Sequence, residues 1–353
     1  VILVSALAAA AVGAAGLAVM ALPAGAGTRP SLPDISAEEL LTSALSARPP
    51  AMAGTVRVDN ALGLPALPGL PRWASNGDTE PRVWFDGEGR SRVAVPSPGG
   101  EQTVVFDGTT VWRWSSAGRT VTKLAHPPAP GPSVEAGGET FDPATAAARL
   151  LSMVRPSSTV AVDGTAMVAD RPVYELVLAP APTERTLLRE IRVALDSQTR
   201  LPLRLTVLAN GTDDPVFSAG FSRISFEPQD AALFRYSPPD GVIVTEADPH
   251  GRPDTTGPFG GPAPAVVGDG WDTVIVMELP DGIMPGGADF PHRRGGPGLD
   301  PKALLDRFGT RVSGPWGSGH LISTTVVSAI VTDDGRVAAG AVPQQVLAEA
   351  LTR

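Results

Sequence analysis

The chain has no cysteine, which excludes a disulfide framework, a thiolate zinc site and a lipid-modified cysteine. Lysine is almost as scarce: Lys123 and Lys302 are the only two, so arginine supplies nearly all the positive charge. Acidic residues outnumber basic ones, 37 to 28, for a formal net charge of -9. Binding to a phosphate backbone needs clustered Lys and Arg, so no nucleic-acid partner is expected. The four histidines, His126, His250, His292 and His320, sit in Pro- or Gly-rich stretches. None has a second His or a carboxylate at ligand spacing, and no metal site is expected. There is no G-x-S-x-G elbow, and GPWGSGH at 314–320 lacks the Lys-Ser/Thr of a phosphate loop and reads as a turn. Asp213-Asp214 and Asp333-Asp334 lack a calcium loop around them. The chain reads as a non-enzyme without a cofactor.

What is present is β-type alternation. The stretch TVVFDGTTVWRWSS, residues 103–116, reads as a hairpin with Asp107-Gly108 in a tight primed turn. Alternation puts Trp112 and Trp114 on one side of its second strand and Val111 and Arg113 on the other. Two indoles on one face require a cover. Arg113 suits solvent, so both tryptophans are expected on the concave side of the sheet.

The first 22 residues carry no charge and are long enough to span a bilayer, which takes roughly 20 apolar residues. Ala24-Gly25-Ala26 is a pattern that signal peptidases accept, so residues 1–26 read as a secretory signal cleaved after Ala26, or as a retained membrane anchor. With Val1 first, a basic segment is expected to precede them. Either way this segment contacts the membrane. Everything beyond it is expected outside the cytoplasm, secreted or tethered to the outer face of the cytoplasmic membrane.

Ser36-Ala37-Glu38-Glu39 is a capping box opening a helix. Six short β runs follow between Thr55 and Leu124, interrupted by a Pro-rich loop at 60–80. A second helix begins at Asp142-Pro143, with Leu150 and Leu151 in its stripe. Five more runs reach Phe226. In these, Leu187, Arg189, Ile191, Val193 and Leu195 share a face by alternation, as do Leu201, Leu203, Leu205 and Val207. The last run changes phase between Phe221 and Ile224, which predicts a bulge near Ser222-Arg223. The domain 34–245 is therefore α+β and mainly β. Residues 246–270 read as a Pro/Gly-rich linker, and 271–353 as a small α+β unit with a helix at Asp300-Pro301, a hairpin around Asp334-Gly335 and a final helix from Pro343.

In FDGTTVWRWSS, MVADRPVYELVLAP and VALDSQTRLPLRLTV, in that order, residues 34–245 resemble the outer-membrane lipoprotein carrier superfamily of the LolA and LolB type, in its Gram-positive secreted branch. The resemblance implies a strongly curved antiparallel sheet of about eleven strands, an unclosed β-barrel with lid helices around an apolar cavity for acyl chains. It places Trp112, Trp114 and the stripe 187–195 in or near the cavity wall and implies no catalytic residue. Simple carriers lack the C-terminal unit. A second domain after the same barrel is the arrangement of the sigma-E regulators of the RseB and MucB type.

The expected function is non-catalytic holding of a lipid, an acyl chain or a lipidated protein, carrier- or chaperone-like. The ligand-binding candidates are Trp112, Trp114, Leu150, Leu187, Ile191, Val193, Leu203, Leu205, Phe217 and Phe221. The alternative is an envelope sensor in which the barrel and the C-terminal unit together bind an anti-sigma or stress partner and the cavity senses, with residues 271–353 as its distinguishing feature.

Overall fold

The computed structural model describes residues 30–63, 77–97, 99–125, 151–247, 264–278 and 309–353. The segment 1–26, Leu150 with most of the expected second helix, the centre of the 246–270 stretch and the helix expected at Asp300-Pro301 lie outside the described residues.

Helix α1, Ala37–Ser46, starts at the capping box: Ser36 Oγ accepts the Glu39 N–H at 3.1 Å, and the Glu39 carboxylate accepts the Ser36 N–H at 3.0 Å. Two N–H groups that have no partner within the helix are thereby satisfied. Leu40 on its apolar side is fully buried against Tyr174, Leu176 and Leu195.

Thirteen strands form one sheet. The first seven are β1 (Met52–Asn60), β2 (Gly77–Thr79), β3 (Arg82–Phe85), β4 (Ser91–Ser97), β5 (Gly100–Phe106), β6 (Thr110–Ser115) and β7 (Thr120–Ala125). The others are β8 (Ser158–Val168), β9 (Arg171–Pro180), β10 (Leu188–Asp196), β11 (Pro202–Ala209), β12 (Phe217–Ser225) and β13 (Ile243–Ala247). Their spatial order is β13-β7-β6-β5-β4-β3-β1-β12-β11-β10-β9-β8, with β2 paired to β1. The sheet is curved and not closed into a barrel. The eleven expected strands are all present. The two extra ones escape sequence reading for different reasons: β2 is three residues without alternation, and β13 pairs in parallel with the distant β7.

The expected bulge is there. Val56 pairs with Phe221 and Thr55 with Arg223, leaving Ser222 as the extra residue, whose hydroxyl donates to the Thr55 carbonyl at 3.2 Å. The slip lets Phe221, Ile224 and Phe226 join one apolar cluster despite the change of phase. Gly54 makes room for the Phe221 ring, since a Cβ there would come within 2.6 Å of it.

The smaller sheet has six strands: β14 (Ala265–Val267), β15 (Val274–Glu278), β16 (Thr310–Gly314), β17 (Gly317–Ser323), β18 (Ser328–Thr332) and β19 (Arg336–Gly340). Helix α2, Gln344–Thr352, buries Val346, Leu347, Ala350 and Leu351 on it. The GPWGSGH stretch is only partly a turn: Pro315-Trp316 makes the reversal, Gly317 already begins β17, and Trp316 is buried in this core. LISTTVVSAIV divides at Thr324, whose hydroxyl accepts the Val327 N–H at 3.0 Å and turns the chain from β17 into β18.

The two sheets are bolted together. Trp271 donates its backbone N–H to Glu184 at 2.7 Å and its indole N–H to Ser158 Oγ at 2.6 Å. The Leu187 N–H and the Thr186 hydroxyl both donate to the Ala341 carbonyl, at 2.8 and 2.7 Å. Val326 and Val327 of the β17–β18 turn pack with Ala209, Val216, Leu188 and Val207 of the large sheet.

Candidate binding face

Directly paired residues of an antiparallel sheet share a face. Tracing those pairs across β8 to β12 gives two unbroken apolar rows. One runs Val160, Leu178, Ile191, Val207, Phe217. The neighbouring row runs Val162, Leu176, Val193, Leu205, Ala219, Val58. Val193, Leu176, Val160 and Val162 contact the cluster under Leu40, so this is the face that carries α1. All five side chains of the first row remain half-exposed.

Four expected site residues, Ile191, Val193, Leu205 and Phe217, are thereby brought together. The others lie elsewhere. Leu203 sits where the β10–β11 register slips, and with Phe221 it is sealed in a closed cluster with Val56, Val83 and Val173, only 1% of Leu203 being exposed. Leu187 precedes a second slip, between Leu188 and Glu190, and its backbone is tied to Ala341 of the smaller sheet. The row members Val160, Val162, Leu176, Leu178, Val58 and Ala219 were not singled out from sequence. The alternation Tyr174, Leu176, Leu178 was the available signal.

Trp112 and Trp114 lie on the reverse face. The pairs Gly54–Val83, Val83–Val93, Val93–Val104 and Val104–Arg113 carry the Val58 face of β1 across to Arg113, and the adjacent tryptophans point the other way. The chain's own return after β12 packs against Trp112, and both tryptophans stay partly exposed. The 3₁₀ turn Ala231–Phe234 buries Phe234, Arg92 donates to the Leu233 carbonyl at 3.4 Å, and the Tyr236 ring lies 5.5 Å from that of Trp112. The Tyr236 hydroxyl is buried without a hydrogen-bond partner among the described residues, and burial raises its pKa.

The hairpin turn differs from the tight primed form. The connection takes three residues, 107–109, and among these only Gly108 has positive φ, at 106°. Asp107 organises it by accepting the Thr109 and Thr110 N–H groups at 2.9 and 2.8 Å and the Trp112 indole N–H at 3.1 Å. Burial alone would raise the Asp107 pKa, but these donors outweigh it and hold the carboxyl below its usual range.

The remaining charges of β8 to β11 are mostly paired. Arg171 grips the fully buried Asp196 at 2.5 and 3.0 Å, and Arg204 and Arg192 both reach Glu175, at 2.6 and 3.5 Å. Two open depressions beside α1, of about 380 and 470 Å³, touch neither apolar row. Among the described residues no group of three or more His, Asp or Glu is placed to hold a metal, and no helix is long and apolar enough to cross a membrane.

No protein-family model matches the chain, and no curated protein matches it. Among solved structures, the Pseudomonas aeruginosa MucA/MucB complex is similar at 16% identity and a TM-score of 0.43, covering 89% of this chain and 96% of that one. A LolA superfamily protein from Nitrosomonas europaea is similar at 12% identity and a TM-score of 0.25, covering 57% of this chain and 99% of that one. A putative outer membrane lipoprotein-sorting protein domain from Vibrio parahaemolyticus follows at 11% identity and a TM-score of 0.19, covering 56% and 98%. These overlaps are partial, and they do not bear on a Gram-positive branch.

Proposed function

We propose that this chain is an extracytoplasmic, non-catalytic binding protein that holds an acyl chain of a lipid or lipidated protein along the two apolar rows beneath α1. The observation that carries the reading is the half-exposed row Val160, Leu178, Ile191, Val207, Phe217, which crosses five strands without a polar side chain. A closed core would bury such a row. An acyl chain laid along it gains roughly 0.8 kcal/mol for each methylene buried. The test is native mass spectrometry of protein from its own host, paired with titration of a fluorescent fatty acid. Recovery without lipid, together with no fatty-acid binding, overturns the proposal.

A second reading, an envelope sensor, draws on one contact. Val207 belongs to the apolar row and also packs against the cluster that Val326 of the smaller sheet forms with Ala209 and Val216, so an occupant of the row would press on the seam between the sheets. The partner surface would then lie in residues 271–353. Deleting these residues should abolish capture of an anti-sigma or stress partner and spare fatty-acid binding. Unchanged capture would remove them from the partner surface.

A further inference from the structure

Among the described residues the smaller sheet is covered on one side only. Val274 and Val276, with the residues paired to them, pack under α2. Pairing puts Ile275, Ala339, Ala329 and Ile322 in a row on the other side, and Met277, Val337 and Val331 in the row beside it, with His320 next in line. None of these apolar side chains is fully buried, and none belongs to the cluster under α2. An apolar sheet face is buried in a fold by a second layer laid over it.

The strand order shows which part of the chain has to pass over this sheet. β15 and β16 follow one another in sequence but are separated in space by β19, β18 and β17. Each successive pairing between them is antiparallel, so β15 and β16 themselves run parallel. The connecting residues 279–309 therefore leave one end of the sheet and return to the other. They also cross four strand spacings, roughly 19 Å at about 4.8 Å each. A parallel crossover of this kind runs over one face of its sheet.

The hand of the crossover selects the face. Gly314 and Gly317 bracket the two-residue turn Pro315-Trp316 and so form a hydrogen-bonded pair, which by alternation makes Val312 and Gly319 the next one. Residues of the other parity in β17 bond to β18. The Asp333 N–H donates to the Ser318 carbonyl and the Thr324 N–H to the Val327 carbonyl, both at 2.8 Å, in keeping with that phase. Val312 packs against the core under α2. In a strand of L-residues drawn upward, a residue whose side chain faces the viewer points its N–H and C=O to the right. Seen from α2 with β16 upward, β17 and, beyond it, the parallel β15 thus lie to the right of β16. From the opposite, open face β16 lies to the right of β15. A connection over the open face is therefore right-handed and one over the α2 face left-handed, and parallel crossovers are right-handed in about 98% of cases.

We propose that residues 279–308 cross the open face of the smaller sheet and dock on it through Leu304, Leu305 and Phe308, the apolar positions of the helix expected from Asp300-Pro301. Their spacing places all three on one side of a helix. The smaller sheet then has a layer on each face. This takes the open face away from any partner surface within 271–353 and leaves the acyl reading untouched.

The chain has no cysteine, so introduced cysteines report on single positions. Maleimide labelling compares Val331→Cys on the open face with Gln345→Cys on the exposed side of α2 and Leu347→Cys buried beneath it. In the full chain Val331→Cys should react roughly tenfold more slowly than Gln345→Cys. Replacing Leu304, Leu305 and Phe308 together by Ser should remove that difference while Leu347→Cys stays protected. Rapid reaction of Val331→Cys without those replacements, or slow reaction that they do not change, overturns the proposal. Protection that fades on dilution assigns the face to a second copy and overturns it as well. If the triple replacement also exposes Leu347→Cys, the unit has opened, and a short bismaleimide decides in the chain that keeps Leu305 and Phe308. Leu304→Cys should then link within one chain to Val331→Cys and not to Gln345→Cys; the reverse pattern, or no link to either, overturns the proposal.

Discussion

Both faces of the large sheet carry apolar side chains, and the chain treats the two differently. On the reverse face the chain folds back after β12 and packs on its own sheet: Phe234 is buried, Tyr236 lies against Trp112, whose indole N–H is used by Asp107, and both tryptophans keep a partial exposure of their own. On the face that carries α1, the cluster under Leu40 takes in Leu176 with Val160, Val162 and Val193 packed against it, while Ile191, Val207 and Phe217 stay half-exposed. An aromatic side chain in a sheet is thus weak evidence for a binding wall. An uninterrupted apolar row left partly open is stronger, because its uncovered area stabilises nothing until something covers it.

If that contrast is right, the largest effect belongs to the sealed face. Phe234→Ala should lower the unfolding free energy by about 4 kcal/mol in urea titrations and leave fatty-acid affinity of the folded protein unchanged. Arg171→Ala comes next. It strands the buried Asp196 and should cost about 3 kcal/mol. Burial pushes the Asp196 pKa up, but hydrogen bonds from Arg171, Thr199 and Gln198 more than offset this and hold it below its usual value. That carboxylate's contribution is therefore complete above about pH 4 and lost as the pH falls through its lower folded pKa. Acid titration of the variant should show a shallower loss.

On the open face the balance reverses. Ile191→Ser and Phe217→Ser should each cost only about 1 kcal/mol of stability and weaken acyl binding roughly tenfold. A stability loss as large as that of Phe234→Ala, with unchanged affinity, would make the two faces equivalent and remove the contrast. The smallest effect is expected for Trp112→Phe, which keeps the ring and deletes the donor to Asp107. It should cost roughly 0.5–1 kcal/mol, seen as a slightly lower urea midpoint, with no change in acyl affinity.

Much of this architecture is legible in the amino-acid sequence. The α1 capping box, the eleven alternating runs and the bulge at Ser222 all follow from local spacing, the last because Phe221 and Ile224 could not otherwise share a cluster. Ile191, Val193, Leu205 and Phe217 were found by the same alternation. Leu203 was not separable from Leu205, because the slip beside it is a property of the pairing with β10 and leaves no trace in the β11 sequence. Alternation also assigns Trp112 and Arg113 to opposite faces but cannot say which face a later segment will cover; that depended on Phe234 and Tyr236, which arrive long after the hairpin.

The order of the strands also has a consequence in time. Strands β3 to β7 and β8 to β12 are two meanders, each built from neighbouring hairpins, and on the path between them they meet at the pairing of β1 with β12, where Ala53 faces Ser225. Hairpins close in microseconds, whereas a seam between chain segments so far apart must wait for a long loop to close. During synthesis the first meander emerges with the partner edge of β1 bare until β12 follows. Such an edge is a template for pairing with another chain, so the β1–β12 seam is the place where refolding should be slowest and most sensitive to protein concentration.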